Sequence, residues 1–342
     1  MKVGIWGSYN YGNYGDDLMA IKFASELKKM SVEPWVYRLD TNLAQRYQIH
    51  TTHSIKELFE NTKFCIIGGG GMLTECSAAK VDFEELDYAV TSNQCPLFPI
   101  SVGSNGQEKN TTLPLENIKL WQNPYCQTST VRLLGDVALV EKLGNKAIYY
   151  PDVLLSISDL WDIKPLPKSS TQLHVGINIG KSLSRSFILS QLSWIAEIKK
   201  DIVFHFISTN LPNSSYRNHI LPHKESDYIK SHIYTDPIST LKFLKSLDLL
   251  VSSKLHLGLT ALSLNTPFYS YGGTGKTKAF LKSINAEFAI FNSKNIIDLF
   301  KVITNPSEVI QAKKKFDFNK LEEEKVLSKG HIKFLKQVIQ TC

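Results

Sequence analysis

The chain lacks the sequence features of several large protein classes. Its 342 residues contain only five cysteines and no C-x-x-C pair, which argues against a disulfide framework and against a zinc site. No apolar run approaches the roughly 18 residues that a membrane-spanning helix needs. The first ten residues are interrupted by Gly, Ser and Asn, so no signal peptide is predicted. These absences indicate a cytoplasmic protein of a reducing compartment.

A strong charge of one sign is also missing. The chain has 39 Lys and Arg against 32 Asp and Glu, a formal net charge of +7. The longest basic run is Lys313–Lys315, and no basic stripe typical of a nucleic-acid binder is present, so no nucleic-acid partner is expected. A small positive balance suits an anionic small substrate or an anionic surface. The length and the 43% apolar content are typical of a globular protein with two domains.

Short apolar segments alternate along the chain with longer segments of helical spacing, which predicts βαβ units and parallel sheets. The breaker-rich stretch 156–171 divides the chain into predicted domains 1–160 and 161–342. The predicted strands are Lys2–Trp6, Phe64–Ile67, Leu97–Val102, Thr128–Arg132, Ile148–Tyr150, Leu173–Asn178, Ile202–Ile207, Leu247–Val251 and Phe268–Tyr271. The predicted helices are Asp16–Met30, Asp82–Thr91, Asp136–Leu143, Phe187–Lys199, Pro237–Ser246 and Leu255–Leu264, with helix from Pro306 onward broken near Gly330.

The first candidate site is the turn Gly12-Asn13-Tyr14-Gly15-Asp16-Asp17, between the first predicted strand and helix. It is not a G-x-G-x-x-G dinucleotide fingerprint, and two carboxylates at a helix start disfavour a phosphate there. Two interpretations stay open. Either Asn13 or Asp16 caps the helix and does nothing more, or a carboxylate here accepts hydrogen bonds or a proton from a hydroxylated substrate.

Glycines and an arginine mark the ends of three further strands. Gly70 and Gly71 belong to the four-glycine run after the second predicted strand, and Gly103 follows Val102. Such glycines let either a ligand or a neighbouring backbone approach closely. Arg132 ends a buried strand and must find an anionic partner, either a structural carboxylate or a bound anion. The sequence favours neither alternative.

The segment Ser252-Ser253-Lys254-Leu255-His256 carries the strongest signal. A helix is predicted to begin here, with Ser252 or Ser253 as its cap and with Lys254 and His256 in its first turn. The helix dipole disfavours positive side chains at that place, so their presence indicates that a bound anion offsets the penalty. An imidazole beside a lysine at the carboxyl end of a strand also suits proton transfer.

The segment Gly272-Gly273-Thr274-Gly275-Lys276-Thr277 looks at first like a phosphate loop. The P-loop pattern needs a glycine at position 270, which is Ser270, and no magnesium-binding strand follows. We therefore expect a flexible loop that carries Lys276 toward the site, not a nucleoside triphosphatase. The histidines elsewhere show no metal-ligand spacing, so neither a metal nor a cofactor is expected.

Taken in order, these motifs resemble those of the polysaccharide pyruvyl transferase family. That family shows a G-N-x-G-D-[ED] turn, a strand running into four glycines, an arginine-bearing strand followed by P-D, a G-x-N strand, and S-x-R-x-H near the end. Here the matching residues are Gly12–Asp17, Gly68–Gly71, Arg132, Pro151-Asp152, Gly176-Ile177-Asn178, Ser252–His256, Ala261, Pro267 and Lys276. Lys254 stands where the family has arginine, and a lysine is a point charge that cannot grip an anion with two parallel hydrogen bonds.

The resemblance implies an α/β fold of two Rossmann-like domains with parallel sheets facing across a cleft, as in GT-B glycosyltransferases. Residues 1–160 would form the acceptor side, and residues 161–342 would form the donor side with C-terminal helices. The implied reaction moves the pyruvyl group of phosphoenolpyruvate to a sugar of a cell-surface polysaccharide or its precursor, giving a cyclic ketal and phosphate. The glycan acceptor can be lipid-linked, which would bring the protein to the inner face of the membrane as a peripheral protein.

The resemblance also implies roles for individual residues. His256 would protonate the methylene carbon of phosphoenolpyruvate, and Asp16 or Asp17 would take the proton of a sugar hydroxyl. The substrate-binding residues would be Lys254, Arg132, Lys276, Asn13, Gly70, Gly71, Gly103 and Ser253.

Two other interpretations stay open at this point. One is a GT-B glycosyltransferase that uses a nucleotide sugar, since a two-domain α/β pattern alone does not exclude it. The other is a non-catalytic relative that only binds glycans, which the lysine at position 254 would fit.

Overall fold

The computed structural model describes residues 1–74, 80–105, 113–168, 171–180, 184–214 and 225–342. These residues form two compact units. Unit 1 comprises Met1–Gly12, Asp16–Ser156 and Lys325–Cys342, and unit 2 comprises Asn13–Gly15 and Ile157–Glu324. Cys76 and part of the predicted linker, residues 169–170, lie outside the described residues. The four cysteines in the described part of the chain, Cys65, Cys95, Cys126 and Cys342, are free thiols.

Unit 1 is built on a parallel sheet with the strand order β3-β2-β1-β4-β5-β6-β7. Its strands are β1 (Lys2–Trp6), β2 (Glu33–Tyr37), β3 (His50–Thr52), β4 (Phe64–Gly70), β5 (Leu97–Val102), β6 (Ser129–Val131) and β7 (Ala147–Tyr149). The helices between them are α1 (Tyr14–Lys29), α2 (Thr41–Arg46), α3 (Ile55–Asn61), α4 (Lys80–Asn93), α5 (Leu115–Gln122) and α6 (Gly135–Lys142).

Unit 2 contains a second parallel sheet, with the order β10-β9-β8-β11-β12-β13. Its strands are β8 (Leu173–Asn178), β9 (Ile202–Ile207), β10 (Ile229–His232), β11 (Leu249–Ser252), β12 (Phe268–Tyr271) and β13 (Ile290–Phe291). Its helices are α7 (Ser184–Ile198), α8 (Pro237–Ser246), α9 (Leu255–Ser263), α10 (Gly275–Ser283), α11 (Ile296–Ile303) and α12 (Pro306–Lys315), followed by α13 (Phe318–Ser328), which ends in unit 1.

Both sheets have the strand order of a doubly wound Rossmann fold. In each sheet the chain starts at an inner strand, builds outward on one side, and then crosses back to the other side. In such sheets ligands bind at the carboxyl ends of the two strands where the order reverses. These strands are β1 and β4 in unit 1, and β8 and β11 in unit 2, and they direct attention to the loops that follow them.

The central elements are strongly apolar because both faces of a parallel sheet are covered. All seven residues of β4 and all four residues of β11 are buried. In α9 every residue is buried except His256. An almost fully buried helix with one half-exposed histidine is a first sign that the position serves a purpose other than packing.

The C-terminal helix α14 (Gly330–Thr341) packs on unit 1. His331 is fully buried there, with one ring nitrogen 2.7 Å from Thr130 Oγ1 and the other 3.0 Å from the carbonyl oxygen of Pro151. The predicted second domain ran to residue 342, whereas the structure groups residues 325–342 with unit 1. Tertiary packing explains this difference. Leu335 and Val338 on α14 are buried as well as His331, and this helix groups with unit 1.

Candidate functional site

The topological switch point of unit 2 is the place where the strand order reverses, between β8 and β11. A network of hydrogen bonds between small polar residues stabilises it. Ser252 and Asn178 lie opposite each other in register on β11 and β8, and the Ser252 hydroxyl donates to Asn178 Oδ1 at 3.1 Å. Asn178 Nδ2 donates to the carbonyl of Ile207 on β9 at 2.8 Å. The backbone N–H of Ser253 donates to the carbonyl of Asn178 at 3.0 Å. These bonds fix the ends of three neighbouring strands relative to the segment that leads to His256.

The start of α9 differs from the sequence prediction. The expected caps Ser252 and Ser253 precede the helix, and the N-cap residue is Lys254, which makes no side-chain cap bond. The Ser252 hydroxyl accepts from the backbone N–H of Lys254 at 2.9 Å, so Ser252 serves the turn before the helix instead. His256 is the second residue of α9, in the first turn as predicted. Ser253, Lys254 and His256 are half-buried, so solvent reaches each of them.

Part of the first candidate turn, residues Asn13–Gly15, belongs to the same site. Asn13–Gly15 group with unit 2, while the rest of α1 groups with unit 1. Asn13 forms an antiparallel bridge with Asn210, and the backbone N–H of Tyr14 donates to the carbonyl of Thr209 at 2.9 Å. Asn13 Oδ1 accepts from the N–H of Gly15 at 3.0 Å, which is the helix-capping role left open by the sequence. The turn is therefore fastened to the loop after β9.

Gly15 lies directly against the imidazole of His256. A Cβ atom placed on Gly15 would sit 2.0 Å from His256 Nδ1, 2.6 Å from Cγ and 2.7 Å from Cβ. No side chain fits in that space without moving the ring, because real Cβ atoms do not approach other heavy atoms closer than about 3 Å. The glycine at this place is thus required by the histidine, and sequence reasoning did not connect the two motifs.

Two further residues of the site, Tyr14 and Thr260, were also missed. The Thr260 hydroxyl donates to the carbonyl of His256 at 2.9 Å, and the Tyr14 hydroxyl lies 2.8 Å from Thr260 Oγ1. Because the Thr260 proton is used on the carbonyl, the Tyr14 hydroxyl is the donor of the second bond. Burial raises the pKa of Tyr14, so it keeps this proton. The i,i+4 spacing of His256 and Thr260 was the one sequence signal available.

Lys276 lies at the same edge of unit 2. Strand β12 pairs with β11 so that Ser270 lies opposite Ser252, and Lys276 follows β12 as the second residue of α10. The prediction of a flexible loop at Lys276 is wrong, since the helix begins at Gly275. A helix forms here because Thr277, Phe280 and Leu281 have helical spacing, so their side chains share one face of α10 and are buried together. Lys254 and Lys276 therefore follow neighbouring strands, each near a helix N-terminus.

The corresponding edge of unit 1 carries Asp16 and Asp17 in the first turn of α1. Asp17 is fully buried, while Asp16 is half-buried. Tyr9 donates its hydroxyl to the carbonyl of Gly68 at 2.8 Å. Burial raises the pKa of Tyr9, and the negative charges of Asp16 and Asp17 raise it further, so both carboxylates lie near this end of β4. Of the two, Asp16 is the one that solvent reaches.

The glycines of unit 1 are largely explained by packing. Gly70 has a φ of +96°, which side chains rarely tolerate, and a Cβ there would lie 3.1 Å from Met72. A Cβ on Gly103 would lie 2.8 Å from Arg132 and 3.0 Å from Asp136. Gly71 is exposed and has only ordinary contacts around its Cβ position. A binding role for these three glycines stays a prediction.

Arg132 takes part in a buried ion pair. Its Nη1 donates to Asp152 Oδ2 at 3.0 Å, and the two side chains are 1% and 5% exposed. Asp136 lies close by and accepts from the backbone N–H of Ser104 at 2.9 Å. Burial raises the pKa of Asp136, while this bond and the Arg132 charge oppose the rise. The sequence left two partners open for Arg132, a structural carboxylate or a bound anion, and the structure shows the carboxylate of Asp152. A role of Arg132 in binding a substrate anion stays a prediction.

The structure thus brings Asn13, Ser253, Lys254 and His256 together in unit 2, with Lys276 at the start of the helix that follows the neighbouring strand β12. Within the described ranges, no group of three or more His, Cys, Asp or Glu side chains is placed to hold a metal ion. No helix in the described part of the chain has the length and apolar character needed to cross a bilayer.

Comparison with solved structures identifies the fold. The UDP-GlcNAc 2-epimerase of Neisseria meningitidis bound to UDP-GlcNAc superimposes with a TM-score of 0.62 at 11% identity, covering 100% of both chains. S. aureus MnaA in its co-structure with UDP gives a TM-score of 0.60 at 11% identity, covering 92% of this chain and 91% of that one. The two-sheet α/β architecture is therefore of the GT-B type, as predicted. No curated protein matches the sequence.

The sequence motifs identify the family. The family model for polysaccharide pyruvyl transferase matches residues 13–273, a range that starts at the turn lying against His256 and ends in the loop after β12. The matched range contains the whole polar network at the switch point of unit 2. The chain belongs to the polysaccharide pyruvyl transferase family.

Proposed function

We propose that this protein transfers the pyruvyl group of phosphoenolpyruvate to a sugar of a cell-surface polysaccharide or its precursor, forming a cyclic ketal. The observation that carries this proposal is His256, the one residue of α9 that is not buried, at the switch point of unit 2 and two residues after Lys254. Family membership supports the reaction type, and the switch-point topology supports the place of binding.

The donor would bind at the edge of unit 2. Phosphoenolpyruvate is small and carries both a carboxylate and a phosphate. Lys254 and Lys276 supply positive charge, and the first turns of α9 and α10 present backbone N–H groups with the positive end of the helix dipole. A bound anion would also offset the unfavourable placement of these lysines near helix N-termini. We assign Arg132 to the internal architecture of unit 1, because its guanidinium is buried beside Asp152.

His256 would act as the general acid. Protonation of the methylene carbon of phosphoenolpyruvate turns it into a methyl group and leaves the adjacent carbon electrophilic. A sugar hydroxyl attacks that carbon and loses its proton, which balances the proton delivered by His256. A second hydroxyl of the same sugar then displaces phosphate, which leaves with the second hydroxyl proton, and the ketal ring closes. Lysine charges beside the leaving phosphate stabilise the charge that develops on it.

The acceptor would be served by unit 1. We assign the base to Asp16, since Asp17 is fully buried and no substrate hydroxyl reaches it from solvent. A lipid-linked precursor on the cytoplasmic face of the membrane is the acceptor that this proposal favours, with the protein docking peripherally.

The direct test is incubation with phosphoenolpyruvate and a panel of lipid-linked and nucleotide-linked glycans. We expect release of inorganic phosphate together with a ketal-bearing product in mass spectrometry. His256→Ala should abolish both signals, whereas the exposed His53→Ala should leave them unchanged. Phosphate release that survives His256→Ala would contradict the assigned acid, and the absence of donor binding in the wild-type protein would contradict the function.

Thermal shift separates this proposal from a glycosyltransferase. A ligand at 100 times its Kd stabilises the folded state by about 2.7 kcal/mol, which raises the unfolding midpoint measurably. We expect stabilisation by phosphoenolpyruvate that is lost in Lys254→Ala. Stabilisation by nucleoside diphosphates alone would favour a nucleotide-sugar enzyme, and stabilisation by glycans alone would favour a non-catalytic binder.

A further inference from the structure

We propose that Tyr14 and Gly15 are positioning residues for His256, which fix the place of its imidazole ring. This inference rests on the proposed function, because it assigns how the general acid of that reaction is held. It joins two motifs that lie more than 240 residues apart in the chain, as the separation of 246 between Tyr14 and Thr260 shows.

The first support is steric. The three His256 atoms nearest to the Cβ position of Gly15 are Nδ1, Cγ and Cβ, at 2.0, 2.6 and 2.7 Å. This edge of the ring is covered by the backbone of α1, so the ring cannot turn toward it. Nε2 lies on the opposite side of the imidazole from the Cβ–Cγ bond.

The second support is a chain of hydrogen bonds. Tyr14 donates to Thr260, and Thr260 donates to the carbonyl of His256. Tyr14 and Thr260 are 1% and 0% exposed, so both bonds are protected from water. The Tyr14 ring also packs edge-on against Tyr234, with ring centroids 5.7 Å apart. The first turn of α9 is therefore tied at its backbone by the residue that precedes Gly15.

The third support is the anchoring of the turn itself. The bridge between Asn13 and Asn210 and the bond from Tyr14 N–H to the carbonyl of Thr209 fasten residues 13–15 to the loop after β9. Asn13 also closes the turn through its bond to the N–H of Gly15. Because these hydrogen bonds fix the backbone of residues 13–15, a side chain introduced at Gly15 must displace the imidazole of His256 and not the turn.

The decisive variant is Gly15→Ala, with Gly135→Ala as its matched control. Both glycines lie in the first turn of a helix, but a Cβ on Gly135 meets nothing within 4 Å. In Gly15→Ala the ring must move by more than about 1 Å, a misplacement that can cost about 100-fold in rate. We expect kcat to fall by about 100-fold while KM for phosphoenolpyruvate changes by less than about threefold, because the lysines stay in place. Gly135→Ala should behave as the wild type.

The hydroxyl chain is tested separately by Tyr14→Phe and Thr260→Val. Each should lower kcat and shift the pH profile of kcat, and the double variant should be no worse than the worse single one, because both act through one chain. Thr260→Ser keeps the hydroxyl and should restore the wild-type profile. Loss of activity in Thr260→Ser together with wild-type behaviour in Thr260→Val would show that the methyl group, and not the hydrogen bond, matters, and would overturn this part.

A readout without turnover separates this inference from the proposed function. In protein labelled with ¹⁵N-histidine, the signals of His256 are assigned by comparison with His256→Gln. We expect Gly15→Ala, but not Gly135→Ala, to change the chemical shifts and the titration midpoint of the His256 ring. Unchanged His256 signals in a folded Gly15→Ala protein would overturn the inference. A changed ring in a protein that never turns over phosphoenolpyruvate would support the contact and refute the proposed function alone. If Gly15→Ala does not fold, the same comparison is made with Tyr14→Phe.

Discussion

The ion pair between Arg132 and Asp152 allows a quantitative test of a residue that the sequence could not assign. Asp152→Asn keeps the shape of the side chain and removes its charge. The Arg132 guanidinium is 1% exposed, so the variant leaves a buried cation that still interacts with the carboxylate of Asp136. Breaking a buried pair in this way costs about 3–5 kcal/mol, and the remaining carboxylate places the expected loss at about 3 kcal/mol.

The chain offers a matched control in the pair Arg38–Asp82. Its N···O distance is 3.1 Å against 3.0 Å for Arg132–Asp152, but its side chains are 30% and 25% exposed. Solvent screening limits such a pair to about 0–1 kcal/mol. We therefore expect Asp152→Asn to lower the midpoint of thermal unfolding by roughly 6–12 °C, and Asp82→Asn by no more than roughly 4 °C.

Differential scanning calorimetry measures both variants, and binding of phosphoenolpyruvate is measured on the same samples. Replacing both partners, as Arg132→Met with Asp152→Leu, should recover part of the lost stability, because no charge is then left buried. An Asp152→Asn protein that unfolds like the wild type but no longer binds phosphoenolpyruvate would refute the structural assignment. It would return Arg132 to the donor site.

Three further predictions follow from other contacts. Burial lowers the pKa of His205 to about 3 and that of His232 to about 4, so the unfolded chain binds more protons than the folded one below the ordinary value of 6.5. The free energy of unfolding should fall as the pH decreases from about 6.5 to 4, and His205→Phe should reduce this slope by about one proton in thermal melts. Lys254→Ala should lower kcat/KM for phosphoenolpyruvate by about 100-fold, whereas Lys254→Arg should retain activity in a phosphate-release assay, since the charge is kept. His331→Leu should cost about 2 kcal/mol in urea unfolding, because it leaves the Thr130 hydroxyl buried without its ring partner.

The sheet interiors could be predicted from the sequence because they are continuous apolar runs. Strands such as Leu173–Asn178 and Ile202–Ile207 have the predicted bounds, and the other predicted strands and helices shift only by a few residues at their ends, except that the helix predicted from Pro306 is also interrupted between Lys315 and Phe318. Three of the missed strands, β3, β10 and β13, are the outermost strands of their sheets. They are short, and β3 and β10 contain polar residues, so backbone pairing with a neighbour decides them. No hydrophobic pattern marks them in the sequence.

The candidate site was predictable in its parts and not in its assembly. Lys254 and His256 could be placed at a helix start after a strand, because an apolar run, two serines and a second apolar run follow one another. The contact between Gly15 and His256 depends on the tertiary fold, and no periodicity spans it. The same holds for Arg132 and Asp152, which are 20 residues apart on separate loops. Local pattern gives the chemistry of each side chain, and the packing gives its partner.

The path of the chain has a practical consequence for dissecting this protein. Neither unit is one continuous stretch of sequence: unit 2 borrows three residues from the N-terminal region, and unit 1 is completed only by the last 18 residues. A fragment of residues 157–324 alone would lack Tyr14 and Gly15. It would have a cavity in place of the Tyr14 ring, and His256 would lose its contact with Gly15. Co-expression of separate halves, or a circular permutation that rejoins the ends, is therefore a more promising route to an independent unit 2 than truncation.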